Sequence, residues 1–157
     1  MRRSEPLWVL YTDGGSRGNP GPAGSGFVLR DPAGTLVCVS GHFIGHATNN
    51  QAEYDGVIRG IEHALSRGCA RLEVRTDSQL VVRQMTGRYR VKNAGLKGLH
   101  ARAQALAAGF EYVRFVHVPR EENVEADAAA NSAMDAKADV GGDTHQCEEQ
   151  PGALTLF

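Results

Sequence analysis

The sequence predicts an α/β fold in which a five-stranded mixed sheet is flanked by helices. Two observations lead to this prediction: apolar runs of strand length alternate with amphipathic helical segments, and they do so in the order βββαβααβα. At 157 residues and 41% hydrophobic composition, the chain supports one compact domain with a genuine core. Because a helix returns the chain to the sheet by a right-handed crossover, we expect the first and fourth strands to be parallel.

Three antiparallel strands are expected to open the fold. The first covers 7–11 and is ended by Asp13 with Gly14 and Gly15, and the next two cover 24–30 and 35–42. The glycine-rich loop after Asp13 has some of the spacing of a dinucleotide fingerprint. Pro20 and Pro22 forbid a helix there, which excludes the Rossmann interpretation.

The remaining elements follow from helical spacing and from short apolar runs. The segment that begins at Thr48 has apolar residues at helical spacing, and Gly68 caps its end. The predicted elements are a helix from Thr48 to Arg67, a strand over 71–76, helices over 78–86 and 96–107, a strand over 110–118 and a helix over 123–134. Residues 1–137 form the predicted domain, and 138–157 are predicted to be an acidic, disordered tail.

Charge is distributed unevenly along the chain. The net charge is −1, but residues 138–157 carry four acids and no Lys or Arg, so residues 1–137 have 17 basic and 14 acidic side chains. Between Arg83 and Arg102 there are six basic residues and no acid. This segment suits a face that binds a polyanion, and a solvated helix surface is an equally good interpretation on charge alone.

Composition also limits the compartment and the kind of site. No run of 18 apolar residues and no signal peptide is present, so we expect a cytoplasmic protein without a membrane span. Cys38, Cys69 and Cys147 form no C-x-x-C pair and are odd in number, which argues against both a disulfide framework and a zinc site. We interpret them as buried or tail thiols.

Four acids are expected to meet at one edge of the sheet. Asp13 and Asp77 each follow a predicted strand, and parallel neighbouring strands would bring both to the edge where open α/β sheets bind ligands. Glu53, early in the first helix, and Asp127, early in the last helix, are placed to reach the same edge. Each has a local alternative: an Asp-Gly turn for Asp13, a capping box with Asn50 for Glu53, an N-cap for Asp77 and a favourable first-turn charge for Asp127.

Clustered carboxylates need cations. Without them, each acid would raise the pKa of its neighbours. Mg²⁺ prefers oxygen ligands, and two such ions about 3.5–4 Å apart stabilise the attacking and leaving oxygens of phosphodiester hydrolysis. The carboxylates therefore predict two Mg²⁺ ions, with Mn²⁺ as a substitute, and phosphoryl transfer to water.

Four motifs in one order resemble a known family. The segments are YTDGGSRGNPGPAG, TNNQAEYDGVIRGI, RTDSQLVVRQM and HVPREENVEAD, and over roughly residues 7–135 the chain resembles a type 1 ribonuclease H. The resemblance implies the ribonuclease H fold and endonucleolytic, largely sequence-independent hydrolysis of the RNA strand of RNA/DNA hybrids, leaving 3′-hydroxyl and 5′-phosphate ends. It also implies metal binding by Asp13, Glu53, Asp77 and Asp127, and neither an obligate protein partner nor assembly beyond the monomer is expected.

The same motifs imply substrate contacts. Asn19, Asn49 and Gln79 match positions that contact the minor groove of the hybrid, and Thr48 matches one that grips a DNA-strand phosphate. Amides and backbone groups suit this task because they can test for the ribose 2′-hydroxyl without reading the bases. The remaining candidate substrate-binding residues are Gly14, Gly18, Asn50 and Asn123.

Two features depart from the family pattern. The longer, Trp-rich basic protrusion of some members is replaced by the short segment 87–93, whose Arg88, Arg90 and Lys92 are expected to hold phosphates. The auxiliary catalytic histidine has no clear counterpart, and we hypothesise that His117 or Arg120 replaces it. A packed strand-end histidine is an equally good interpretation of His117.

Two other classes of function compete with a ribonuclease. A hybrid-binding module without catalysis is disfavoured because all four acids are present. A sugar-kinase or actin-like nucleotide binder needs two such domains with two phosphate loops, and this chain has one.

Overall fold

The computed structural model describes residues 6–144. Its strands are Trp8–Ser16 (β1), Gly21–Arg30 (β2), Leu36–Ala47 (β3), Arg71–Thr76 (β4), Tyr112–His117 (β5) and Val140–Asp143 (β6). Its α-helices are Asn49–Ser66 (α1), Gln79–Met85 (α2), Ala94–Ala107 (α3) and Val124–Ala136 (α4), and a 3₁₀ turn covers Arg120–Glu122. None of the helices within residues 6–144 combines the length and the hydropathy that a membrane span requires.

The strands form one mixed sheet in the order β5-β4-β1-β2-β3-β6. β4 pairs in parallel with both β1 and β5, which confirms the expected parallel pairing of the first and fourth strands. The pairs β1–β2, β2–β3 and β3–β6 are antiparallel. The carboxyl ends of the three parallel strands therefore lie at one edge.

The structure contains a sixth strand that the sequence analysis did not predict. It lies in the segment from residue 138 that was predicted to be a disordered tail. Val140–Asp143 forms β6, which pairs antiparallel with β3 over Cys38–Gly41. The four-residue segment contains two glycines and has no apolar alternation, so it carries no strand signal of its own. It forms a strand because the edge of β3 offers unpaired backbone groups. The rest of the predicted tail, 145–157, lies outside the described residues.

The sheet is covered by helices on both faces. On one face, α1 packs Tyr54, Val57 and Ile61 against fully buried strand residues such as Leu10 and Leu72. On the other face, α4 lies on β2 and β3.

Glycines allow α4 to approach closely. A Cβ at Gly26 would lie 2.4 Å from the carbonyl oxygen of Ala126, and one at Gly41 would lie 2.2 Å from that of Ala129. Since α4 carries Asp127, these contacts fix the height of that residue above the sheet.

Cys38 and Cys69 are buried and free, as expected, and Cys147 lies outside the described residues.

Candidate active site

The sequence predicted that the first strand ends at Asp13, but in the structure Asp13 lies inside β1. β1 continues to Ser16 because Gly14, Gly15 and Ser16 pair with β2. The pairing of β1 with β4, however, stops at Thr12 opposite Thr76. Asp13 and Asp77 are thus each the first residue beyond the parallel pairing, and the structure brings both to the same edge.

Glu53 is not used to cap its helix. The capping box of α1 consists of Thr48 and Gln51, in which the Thr48 hydroxyl accepts from the Gln51 N–H and the Gln51 side chain accepts from the Thr48 N–H. Glu53 lies in the next turn of α1 and takes no part in this capping box. A Cβ at Gly14 would lie 2.6 Å from the Glu53 nitrogen, so the glycine lets α1 approach β1 closely.

The other two acids also differ in their local roles. Ser78, not Asp77, is the N-cap of α2, and its hydroxyl accepts from the Val81 N–H at 3.2 Å. Asp127 does lie in the first turn of α4, as expected. The alternative explanations for Glu53 and Asp77 as caps therefore fail, and the one for Asp127 remains compatible with the structure.

The acids line one cavity at the edge of the sheet. Single carboxylate oxygens of Asp13, Glu53 and Asp77 lie within 4.8 Å of one another. Asp127 lines the same cavity and is hydrogen-bonded to Asp13. The structure thus brings together all four acids that the sequence singled out.

This crowding has a strong electrostatic effect. Burial, the hydrogen bond with Asp127 and the charges of Asp77 and Asp127 raise the pKa of Asp13 from 3.8 to about 8. Burial and the charges of Asp13 and Asp77 raise the pKa of Glu53 well above its usual value. In the absence of cations, the cluster therefore holds protons near neutral pH.

The cluster fits hard divalent cations. The Oε1 atom of Glu53 is buried and has no hydrogen-bond partner among residues 6–144. The two arginines that line the cavity do not balance its four acids, since Arg17 also pairs with Asp135 at 2.8 Å. A site of carboxylate oxygens with one unsatisfied acceptor suits Mg²⁺ or Mn²⁺.

The raised pKa values predict how the stability of the metal-free protein depends on pH. A group whose pKa is higher in the folded state stabilises the fold below its unfolded pKa and loses that contribution as pH rises through its folded pKa. In EDTA, we expect the Tm of the wild type relative to Asp13→Asn to fall from about pH 4 to about pH 8. Calorimetry of both proteins across this range measures the difference, and a constant difference would contradict the prediction.

Asn19 and Asn49 are joined beside the cavity. The Asn49 N–H donates to Asn19 Oδ1 at 3.0 Å, and Asn49 Oδ1 accepts from the Ser16 N–H at 2.9 Å. These bonds use the oxygen of each amide and tie the β1–β2 turn to the start of α1. Within residues 6–144, the side-chain N–H groups of both asparagines donate no hydrogen bond, so they can serve as donors to a substrate.

Other predicted substrate contacts lie in different surroundings. Asn50 and Gln79 are exposed, and Gly18 has φ +90°, a conformation that favours glycine. Asn123 is only 1% exposed and donates to the Thr12 carbonyl oxygen at 2.8 Å. This buried amide bonds to the backbone of β1 and so joins the start of α4 to the strand that carries Asp13, while a substrate contact by Asn123 stays a prediction.

The two candidates for the auxiliary role are separated. Arg120 lines the carboxylate cavity, and its positive charge offsets a small part of the rise in the pKa of Glu53 that burial and the neighbouring acids cause. His117 instead lines a neighbouring pocket of about 480 Å³, together with Gln79, Arg83 and Arg88.

Sequence reasoning missed two residues of the site. Asn131 and Arg17 line the carboxylate cavity, and Arg17 Nη2 donates to Asn131 Oδ1 at 3.3 Å. Asn131 lies one helical turn after Asp127, and residues four apart share a face of a helix. This spacing could therefore have predicted that Asn131 lines the same cavity as Asp127. Arg17 lies within the glycine-rich turn and carried no comparable signal.

Comparisons with known proteins identify the family of this chain. A family model described as reverse transcriptase-like matches residues 11–133. A ribonuclease HI of Halobacterium salinarum is 48% identical over 125 residues, covering 80% of this chain and 63% of the relative. A ribonuclease H of Methylococcus capsulatus is 35% identical over 150 residues, covering 86% of this chain and 94% of the relative.

A solved structure is also similar. The crystal structure of LC11 ribonuclease H1 in complex with an RNA/DNA hybrid has a TM-score of 0.79 and 43% identity, covering 83% of this chain and 98% of that one. The chain spans only 36% of the length of several mycobacterial relatives that are 49% identical to it.

Proposed function

We propose that this chain, which belongs to the type 1 ribonuclease H family, hydrolyses the RNA strand of RNA/DNA hybrids and leaves 3′-hydroxyl and 5′-phosphate ends. The single observation that carries the proposal is the convergence of Asp13, Glu53 and Asp77 within 4.8 Å, with Asp127 in the same cavity. A similar protein, LC11 ribonuclease H1, is described in complex with such a hybrid.

The four acids would hold two Mg²⁺ ions, with Mn²⁺ as a substitute. When bound, the ions supply positive charge to the attacking and leaving oxygens of the phosphodiester. This charge also favours the ionised carboxylates over the protonated ones that burial and crowding impose on the metal-free cluster. The chain itself contributes oxygen ligands from β1, from the residue that follows β4, and from two helices.

The chain would also position the substrate. The N–H donors of Asn19 and Asn49 lie beside the carboxylates, where they can bond to ribose hydroxyls and base edges in the wide minor groove of a hybrid. Arg83 and Arg88 line the neighbouring pocket and can hold phosphates at a distance from the cleaved bond. These contacts read sugar and shape, so cleavage is expected to be largely independent of sequence.

Strand-resolved cleavage tests the proposal. RNA/DNA, RNA/RNA and DNA/DNA duplexes, each with one labelled strand, are incubated with Mg²⁺, with Mn²⁺ and with EDTA. We expect cleavage of the RNA strand of the hybrid with either metal and none in EDTA. Equal cleavage of all three duplexes, or full activity in EDTA, would refute the assignment.

Arg120 is the stronger candidate for the auxiliary role. Arg120→Ala is expected to lower kcat by about tenfold or more, since it removes one of the two arginine charges that line the carboxylate cavity. His117→Ala is expected to change kcat by less than about threefold, because His117 lines the neighbouring pocket. Steady-state kinetics on one hybrid compares the two, with Arg102→Ala as a control for the loss of an arginine that pairs with Glu62. A larger loss of kcat in His117→Ala than in Arg120→Ala would assign the auxiliary role to His117.

A further inference from the structure

A second cluster of metal-ligating side chains lies where β3, β6 and α1 meet. Cys38 and Asp143 face each other across the β3–β6 pair, and His63 comes from the last turn of α1. One ligand atom of each residue lies within 4.8 Å of the others. None of the three belongs to the carboxylate cavity.

The geometry points to a binding site for a zinc-type divalent cation, held by the Cys38 thiolate, the His63 imidazole and the Asp143 carboxylate. A thiolate, an imidazole and a carboxylate oxygen together select Zn²⁺ over Mg²⁺, because Mg²⁺ prefers oxygen ligands alone. Three protein ligands leave a fourth tetrahedral position for water.

The surroundings of the cluster suit a metal centre. His63 Nε2 lies 2.6 Å from Asp143 Oδ1, a contact that a bound ion would replace. Arg67 Nη1 donates to Asp143 Oδ2 at 3.2 Å and would orient the carboxylate from outside, as partners of metal ligands commonly do. Binding converts the Cys38 thiol to the thiolate and releases one proton to the solvent.

An ion can approach this cluster from its His63 side. Cys38 and His63 line a shallow surface pocket of about 370 Å³, which Gly142 of β6 also borders. The side chains of His63 and Asp143 are 25% and 9% exposed, whereas Cys38 is only 1% exposed and lies at the inner end of the cluster. A bound ion would join β6 to α1, the helix that also carries Glu53.

The cluster cannot be recognised from the sequence, because its ligands come from three separate elements. Cys38 and His63 are 25 residues apart, and His63 and Asp143 are 80 residues apart. The usual zinc signatures are short-range pairs such as C-x-x-C. This site would therefore be additional to the carboxylate cavity and independent of the proposed nuclease activity.

Cobalt substitution tests the proposal. The full chain is stripped with EDTA, desalted and titrated with Co²⁺, and the near-ultraviolet absorption is recorded. A thiolate-to-cobalt charge-transfer band with one ion per chain, displaced by Zn²⁺, is expected. The carboxylate cavity cannot produce this band because it contains no sulfur ligand of cysteine, so the Asp13→Asn variant should show it unchanged.

Variants locate the thiolate. Cys38→Ser, His63→Gln and Asp143→Asn should each abolish or strongly weaken the band, whereas Cys69→Ser and Cys147→Ser should keep it. Zn²⁺ should also raise the Tm of the wild type and leave that of His63→Gln unchanged, and circular dichroism checks that each variant folds. His63→Gln serves if Cys38→Ser fails to fold, because its side chain is partly exposed. Absence of the band in the wild type, or its loss only in Cys147→Ser, would overturn the proposal.

Discussion

Asp13→Asn is expected to lower the rate of hybrid cleavage by about a thousandfold or more while the protein remains folded. Asp13 contacts Asp127 and lies within 4.8 Å of Glu53 and Asp77, so its carboxylate belongs to the ligand set of any cation bound there. A divalent ion contributes several kcal/mol to stabilising the transition state, and about 4 kcal/mol corresponds to a thousandfold in rate. Single-turnover cleavage of a labelled hybrid in Mg²⁺ measures the loss.

The fold should survive because the substitution removes a source of repulsion. Burial and neighbouring acids already raise the pKa of Asp13 to about 8, so a neutral amide relieves a cost that grows with pH. In EDTA at about pH 8, we expect the Tm of Asp13→Asn to exceed that of the wild type by roughly 4 °C or more.

Asp31→Asn is the matched control for Asp13→Asn. The Asp31 Oδ1 atom accepts from the Ala33 and Thr35 N–H groups at 2.9 Å, and an asparagine keeps that acceptor. Both rate and Tm should stay close to those of the wild type. Near-normal cleavage by Asp13→Asn would refute the site assignment, whereas loss of activity with a collapsed Tm would show that Asp13 is needed for folding.

The sequence was most informative where local chemistry decides the structure. The strand over 71–76 has the predicted bounds because its β-branched and apolar residues are followed by a helix cap. The convergence of Asp13 and Asp77 also followed from topology alone, since neighbouring parallel strands have their carboxyl ends at one edge.

Tertiary contacts decided the features that the sequence could not predict. β6 depends on the free edge of β3, and β1 extends past Asp13 because β2 pairs with its glycines. The sequence could not separate capping from catalysis for Glu53, because the spacing of Asn50 and Glu53 fits a capping box. In the structure, Thr48 and Gln51 form that box instead.

Gly14→Ala is expected to reduce both stability and cleavage, although alanine is a small residue. A Cβ at position 14 would lie 2.2 Å from the Ala52 carbonyl oxygen and 2.6 Å from the Glu53 nitrogen. Both atoms belong to the backbone of α1, so no side chain can rotate away and the helix must move off β1. We expect a loss of about 1–3 kcal/mol in the free energy of unfolding, measured by urea denaturation.

The same displacement should impair catalysis, because Glu53 moves with α1 while Asp13 stays with β1. A shift of about 1 Å in a catalytic group costs on the order of a hundredfold in rate, and we expect a loss of that size in kcat for the hybrid.

Gly98→Ala is the control for Gly14→Ala. Gly98 lies exposed in α3, and a Cβ added there would meet no atom within 4 Å. Alanine at this position should therefore stabilise the helix by up to about 1 kcal/mol and leave kcat unchanged. If Gly14→Ala cleaved hybrid at the rate of Gly98→Ala, the close contact of β1 with α1 would not be what holds Glu53 beside Asp13.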